Sequence, residues 1–391
     1  MITIEKALEI AFANAQTTGT EAVDLIHSPG RILSRDVVAD ADMPPFNKSA
    51  MDGYACRRED LQKELSVIEL IPAGQSPTQI IHSGQCSKIM TGAQVPKGAD
   101  TVFMVEYSQE TASGKIIFTG KTTNSNICQQ GEDLKKGDLV VALGTMLKPQ
   151  HVAMLASVGC IHPMVYKKPL VGIISTGSEL IHPQEVPSLS KIRNSNGPQL
   201  FAQATGSGFQ AIDYGIVPDN ENLIRQTIEK SIAQNDVIIL SGGVSVGDFD
   251  FVPQIIRNLG FEIHFSKINI KPGQHTTFAT QGNKTIIGLP GNPVSSFIQF
   301  EVFAKPFLQR LMNYHQPEIR LPMAMSHDFS RKKSDRDECL PVQITSKNEV
   351  QLVAYHGSAH IHAYDQAFGF ITVAAGKTEL KKGEMVNVRP L

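Results

Sequence analysis

Three stretches of this chain are too continuously apolar to be strands with one wet face. They are PLVGIISTGSEL (residues 169–180), DVIILSGGVSVGDFDF (236–251) and KTIIGLPGNPVSSFIQFEVF (284–303). A strand half-exposed to water alternates apolar and polar residues, whereas a strand buried on both faces does not. The runs therefore predict a mostly parallel sheet covered by helices, an α/β arrangement. Between the first two, residues 220–233 carry Leu223, Ile224, Thr227, Ile228 and Ile232 at helical spacing. Each run ends in a polar, glycine-containing loop. In such sheets ligands sit beyond the carboxyl ends of the strands, which makes these three loops the candidate site.

The sheet uses only part of a 391-residue chain that is too long for one ordinary core. Residues 4–14 place Ile4, Ala7, Leu8 and Phe12 on one helical face, with Thr3 as N-cap and Glu5 in the first turn. From about 46 to 143, short β-rich runs such as SVIELI and DTVFMVE alternate with Gly, Pro and Ser turns, and KKGDLV and LGTML read as strand pieces. Residues 144–169 read as a return path. After Pro317 and Pro322 the texture is β again to the end.

Composition removes several classes of function. Thirty-six Lys plus Arg nearly balance 38 Asp plus Glu, so no nucleic-acid or acidic-membrane partner is expected. No apolar run reaches the ~20 residues needed to cross a bilayer. Glu5 and Glu9 interrupt the N-terminal apolar pattern, which is not that of a signal peptide. The five cysteines are scattered and never in a C-x-x-C pair, as expected of a protein of the reducing cytoplasm.

The loops have a chemistry of their own. In LPGNP, Pro290 and Gly291 precede Asn292, a candidate N-cap, and Pro293, a candidate first helical residue. A helix N-terminus after a glycine suits a phosphate; an ordinary tight turn has the same sequence. SGGVSVGD is more telling. Ser241, Gly242, Gly243, Ser245 and Gly247 leave backbone amides free for an anion, without the Lys-Ser/Thr ending of a P-loop. Asp248 and Asp250 follow at once. Carboxylates beside a phosphate cradle call for a cation between them, and Mg²⁺ is the usual one; helix capping is the alternative. Glu179 in STGSE has the same two readings. In SKINIKPG, Lys267, Asn269 and Lys271 alternate with Ile268 and Ile270, which puts two cations on one strand face. His356, His360 and His362 lack the helix and the nearby acid of a catalytic zinc site. No G-x-S-x-G nucleophile elbow is present. These residues point to a Mg²⁺-assisted enzyme or binder for a phosphorylated, nucleotide-like ligand. They leave SAMDGYA (49–55) unexplained, since Asp52-Gly53 by itself reads as a turn.

In order along the chain, PPFNKSAMDGYA, MTGAQVPKGADTVFMVE, ISTGSEL, IRNSNGPQL, SGGVSVGDFDF, KPG, GLPGNPVSSF and HGSAH resemble the motifs of the molybdopterin molybdenumtransferase family, the molybdate-insertion enzymes that include the gephyrin E domain. The resemblance implies a multidomain α/β plus β protein. Its parts are an α/β domain (1–19 and 170–319), an elongated linking domain (20–45 and 144–169), a β-rich domain carrying SAMDGYA (46–143) and a small, barrel-like C-terminal β domain (320–391). It implies an enzyme that inserts molybdate into adenylylated molybdopterin with Mg²⁺ and releases AMP. It also implies a homodimer whose site is shared between subunits, and contact with the molybdopterin adenylyltransferase. Carried over by position, Asp52, Thr91, Glu179, Asp219 and Lys271 are the catalytic set, Pro290 and Pro293 line the last loop, and Ser358 contacts the anion. Against the family pattern, Gln274 replaces a lysine, Pro341 an arginine, Cys128 an arginine and Asn194 an aspartate. Gln274 and Pro341 fall where the family grips molybdate, so a carrier of molybdopterin nucleotide is the competing expectation. A Mg²⁺-dependent phosphohydrolase is a third.

Overall fold

The computed structural model describes residues 1–243, 251–315 and 317–391. The three apolar runs form strands Leu170–Thr176, Val237–Ser241 and Lys284–Leu289. They lie in one six-stranded sheet, in the order 210–217, 170–176, 237–241, 284–289, 277–281 and 262–265. The first four strands are parallel, and 277–281 pairs antiparallel with both of its neighbours, so that 262–265 again runs with the first four. Burial on both faces is visible residue by residue. Val237 and Ile239 point into a core shared with helices Ile4–Ala13, Asn196–Gly206 and Lys305–Leu311. Ile238 and Leu240 point into another, shared with helices Glu221–Gln234 and Val252–Asn258.

The N-terminal helix is capped as expected, Lys6 N–H donating to Thr3 Oγ1 at 3.2 Å. It buries Ala7 and Ala11 fully, small residues that let its backbone approach the core closely. The helical stretch 293–311 contains a π-turn at Phe300–Ala304. Pro306 accounts for it, because it has no N–H for the carbonyl one turn back.

The β-rich N-terminal region holds a four-stranded sheet ordered 66–71, 85–89, 53–56 and 101–104. Its faces bury separate clusters, one around Tyr54, Leu65 and Phe103, the other around Ile71, Ile89 and Val102. Gly53 is not a turn residue here. It opens the strand Gly53–Cys56, and a Cβ on it would lie 2.0 Å from the Phe103 carbonyl oxygen, so only glycine lets the strands come this close.

One expectation fails, and one element was not anticipated. The segment LGTML is not a strand; Met146 alone bridges Ile32. The return path contains a helix, Pro149–Ser157, whose Leu155 joins a core with Leu33, Val141, Leu147 and Val165.

The C-terminal sheet runs 270–271, 337–344, 369–373, 385–390 and 321–324, with 350–352 attached to 337–344. Its first strand comes from SKINIKPG. The register sets Ile270 against Asp337 and Lys271 against Glu338, tying the lysine to the C-terminal region.

Candidate functional site

The three glycine loops meet at the carboxyl ends of their strands. A Cβ on Gly242 would lie 2.4 Å from the Thr176 carbonyl oxygen, and Gly242 has φ +94°, so the second loop touches the first only as glycine. Gly242 N–H donates to Leu289 O at 3.1 Å, joining it to the third. Ser241 is buried, and its Oγ accepts from Asn196 Nδ2 at 2.8 Å. The same amide donates to Gly291 O at 2.8 Å. Asn196 thus clamps the second and third loops. Sequence alone does not reveal it, because a polar residue at the start of a helix reads as a cap.

Glu179 and Asp219 sit together on the first loop and the end of strand 210–217. Ser178 N–H donates to Asp219 Oδ2 at 2.8 Å, and Asp219 N–H donates back to Ser178 Oγ at 2.9 Å. Glu179 is exposed and folds its carboxylate over Gly177. Ser245, Gly247, Asp248 and Asp250 lie outside the described residues.

Asn292 corrects an expectation. It stands before the helix Pro293–Gln299, yet its side chain does not cap it. Asn292 Nδ2 instead donates to Ser358 Oγ at 3.0 Å, while Val294 N–H donates to Ser358 O at 3.0 Å. The HGSAH segment of the C-terminal region is therefore docked on the third loop, with Pro290 and Pro293 half-buried around it. His356 and His360 stack at 5.0 Å between ring centroids, and His356 N–H donates to His360 Nδ1 at 3.2 Å.

The alternation in SKINIKPG holds: Ile268 and Ile270 are buried, Lys267 is half-buried and Lys271 is exposed. Lys271 Nζ lies 2.6 Å from Glu338 Oε1. Gln274 accepts from Arg336 Nη1 at 3.3 Å. Asn194 Oδ1 accepts Gly197 N–H at 3.1 Å, a helix-start role that an amide fills without charge. Pro341 is paired with Phe370 inside the C-terminal sheet, and Cys128 pairs with Lys48 in the N-terminal region.

Asp52 and Thr91 form one unit on the N-terminal sheet. Asp52 Oδ1 accepts both Thr91 N–H (2.6 Å) and Thr91 Oγ1–H (2.7 Å). Among the described residues no hydrogen bond or ion pair joins this unit to the glycine loops of the same chain. The two bonds, the hydroxyl's first, hold the Asp52 carboxyl below its ordinary value of 3.8. A depressed carboxyl adds stability that is fully present above its unfolded value and is lost as pH falls through the lower folded one. The window thus lies below about pH 4, and Asp52 is ionised at neutrality. Thr91→Val keeps the backbone donor and removes the hydroxyl. It is expected to move the Asp52 titration part of the way back up, as read by carboxyl NMR; no upward movement would separate the pair.

Residues 2–159 match the family described as MoeA N-terminal region (domain I and II), and residues 172–310 match the family described as Probable molybdopterin binding domain. A molybdopterin molybdenumtransferase of Staphylococcus epidermidis is 35% identical over 377 residues, covering 94% of this chain and 90% of that one. The chain belongs to the molybdopterin molybdenumtransferase family. A Staphylococcus aureus member is 36% identical over 339 residues, covering 84% of this chain and 81% of its own. Among solved structures, the molybdopterin biosynthesis MoeA protein of Pyrococcus horikoshii OT3 superposes over 100% of both chains with TM-score 0.86 and 29% identity. Membership accounts for the multidomain build. It also explains why SAMDGYA and the glycine loops, unrelated in local structure, occur in one chain. Among the described residues no helix is long and apolar enough to cross a membrane.

Proposed function

We propose that this chain inserts molybdate into adenylylated molybdopterin and releases AMP, as a Mg²⁺-dependent step of molybdenum cofactor synthesis. The observation that carries the reading furthest is the docking of Ser358 on the third glycine loop through Asn292 and Val294. It supports one continuous site, with glycine loops for the phosphates at one end and Lys271 and Ser358 for the oxyanion at the other. Gly243 and Gly291 are the backbone amides proposed for the phosphate oxygens, since the Gly242 N–H is taken by Leu289 O; Ser245 and Gly247 belong to the same cradle by sequence alone. Lys267, in the segment that leads into the strand of Lys271, is proposed to reach an extended, charged ligand.

Glu179 and Asp219, together with Asp248 and Asp250, which follow the second glycine loop in sequence, are hard oxygen donors of the kind that Mg²⁺ takes together with phosphate oxygens. The Glu179 and Asp219 carboxylates at the sheet's end fit that chemistry, with Asp248 and Asp250 as the principal ligands. The metal would supply charge stabilisation for the departing phosphate. The protein's own share is to orient the nucleotide and to hold the oxyanion against it.

The separation of Asp52 and Thr91 from the glycine loops of their own chain supports a homodimer in which each pair serves the partner's cleft. Five free cysteines support a cytoplasmic setting. The molybdopterin adenylyltransferase is the proposed donor of the substrate. The loss of two family cations at Gln274 and Pro341 favours the second reading, a carrier that binds the nucleotide without inserting metal.

The deciding measurement is AMP release from adenylylated molybdopterin and Mg²⁺, with and without molybdate. Release that requires molybdate is expected. Release without it points to a phosphohydrolase, and tight binding without release to the carrier. Asp250→Asn is expected to raise the Mg²⁺ concentration for half-maximal turnover at least tenfold, the order of one charge-assisted contact. Nucleotide binding without metal should change little. An unchanged Mg²⁺ requirement would take Asp250 out of the metal site.

A further inference from the structure

A cavity of about 640 Å³ opens beside Lys271, between the 329–333 segment and the strand 337–344. Its charged walls are four cations, Lys271, Arg331, Lys332 and Lys333, and one carboxylate, Glu338. The carboxylate is 5% exposed and uses both oxygens. Oε1 lies 2.6 Å from Lys271 Nζ, and Oε2 lies 3.2 Å from Arg331 Nη1. The two cations are held differently. Arg331 is also fixed by carbonyl oxygens, Nε donating to Lys377 O (2.8 Å), Nη1 to Arg336 O (3.1 Å) and Nη2 to Ala374 O (2.6 Å). Lys271 has Glu338 as its single ion-pair partner among the described residues, and its side chain is 49% exposed. Lys332 and Lys333 are exposed and have no ion pair among the described residues. The Tyr355 hydroxyl, in the same wall, is buried without a hydrogen-bond partner among the described residues. Burial, with the nearby Glu338 charge, pushes it up to about 12, so it remains a neutral donor.

We propose that Glu338 is a built-in counter-anion for the oxyanion site: it holds Lys271 in place while the site is free and must yield the ammonium when an oxyanion arrives, so that it sets the oxyanion affinity. The proposal rests on the reading of Lys271 as the oxyanion ligand. The carboxylate takes one of the three ammonium donors of Lys271 and offsets its charge, and it repels any second anion that approaches the same ammonium. It cannot follow Lys271 outward, because Arg331 is anchored to the backbone. An incoming anion is compensated by Lys332 and Lys333, and the Tyr355 hydroxyl is free to donate to it. The sheet register keeps the two residues side by side, since Lys271 and Glu338 are opposed residues of paired strands.

The test is equilibrium binding of molybdate alone to the full chain, by calorimetry, with AMP release measured on the same preparations. Glu338→Gln keeps the shape and removes the charge. It is expected to bind molybdate roughly tenfold more tightly, the order of one charge-assisted contact. Glu338→Asp keeps a charge for Arg331 but draws it back from Lys271, and should give a smaller gain in the same direction. It serves alone if the glutamine variant does not fold. Adding Lys271→Ala to Glu338→Gln should cancel the gain. Weaker or unchanged binding in the folded variants, or no molybdate binding by any of them, overturns the proposal. Tighter binding by Glu338→Gln in a protein that never releases AMP counts against the transferase reading and leaves Glu338's role standing.

Discussion

Gly242→Val is expected to abolish molybdate-dependent AMP release while leaving the rest of the protein folded. A side chain at this position meets the Thr176 carbonyl oxygen at 2.4 Å, and the backbone sits at φ +94°, which a β-branched residue strongly resists. Holding that conformation costs about 1–3 kcal/mol, and relieving the overlap moves the second loop off the first. Displacement of about 1 Å in a positioning element costs on the order of a hundredfold in rate. The N-terminal sheet has separate cores, so its melting should be unaffected. Turnover above about a tenth of the unmodified rate, with normal nucleotide binding, would show that contact between these loops does not build the site.

Phe278→Ala is the substitution expected to cost the most stability. The side chain is fully buried at the centre of an aromatic cluster, with ring centroids 5.6 Å from Phe265, 5.7 Å from Phe303 and 5.2 Å from Phe307. Truncating a buried phenylalanine costs about 3–5 kcal/mol, from lost transfer energy and the cavity left behind. Phe278 lies on strand 277–281, next to strand 284–289, which carries the third loop, so the loss falls on the α/β region. Hydrogen exchange of the 237–241 amides should accelerate on the order of a hundredfold or more, at about 1.4 kcal/mol per decade. Exchange in strand 85–89 should stay as it was. An equal change in both sheets would mean that the regions unfold as one unit.

The residues that the sequence placed correctly are those whose environment is written locally. Burial on both faces leaves a continuous apolar run, so the strands 170–176, 237–241 and 284–289 were legible. Thr3 was legible because capping is settled within three residues. The buried alternation of Ile268 and Ile270 followed from the two-residue period of extended chain. The helix Pro149–Ser157 was missed because its nine residues bury only Leu155 and so carry little periodic signal.

What the tertiary structure alone decided is which distant groups meet. Asn292 has the sequence of an N-cap, but Ser358 arrives from the C-terminal region and takes its amide. Asp52-Gly53 has the sequence of a turn, but the approach of the strand 101–104 makes Gly53 a packing requirement. Asn196 became a clamp only when Ser241 and Gly291 were brought to it. Lys271 carries no sign of Glu338 in its neighbourhood; the register of strand 270–271 on strand 337–344 sets them face to face. Periodicity and caps are properties of a few successive residues, so sequence determines them by itself. Pairing is a property of register and topology, fixed by the sum of burial over whole sheets, and no local pattern records it.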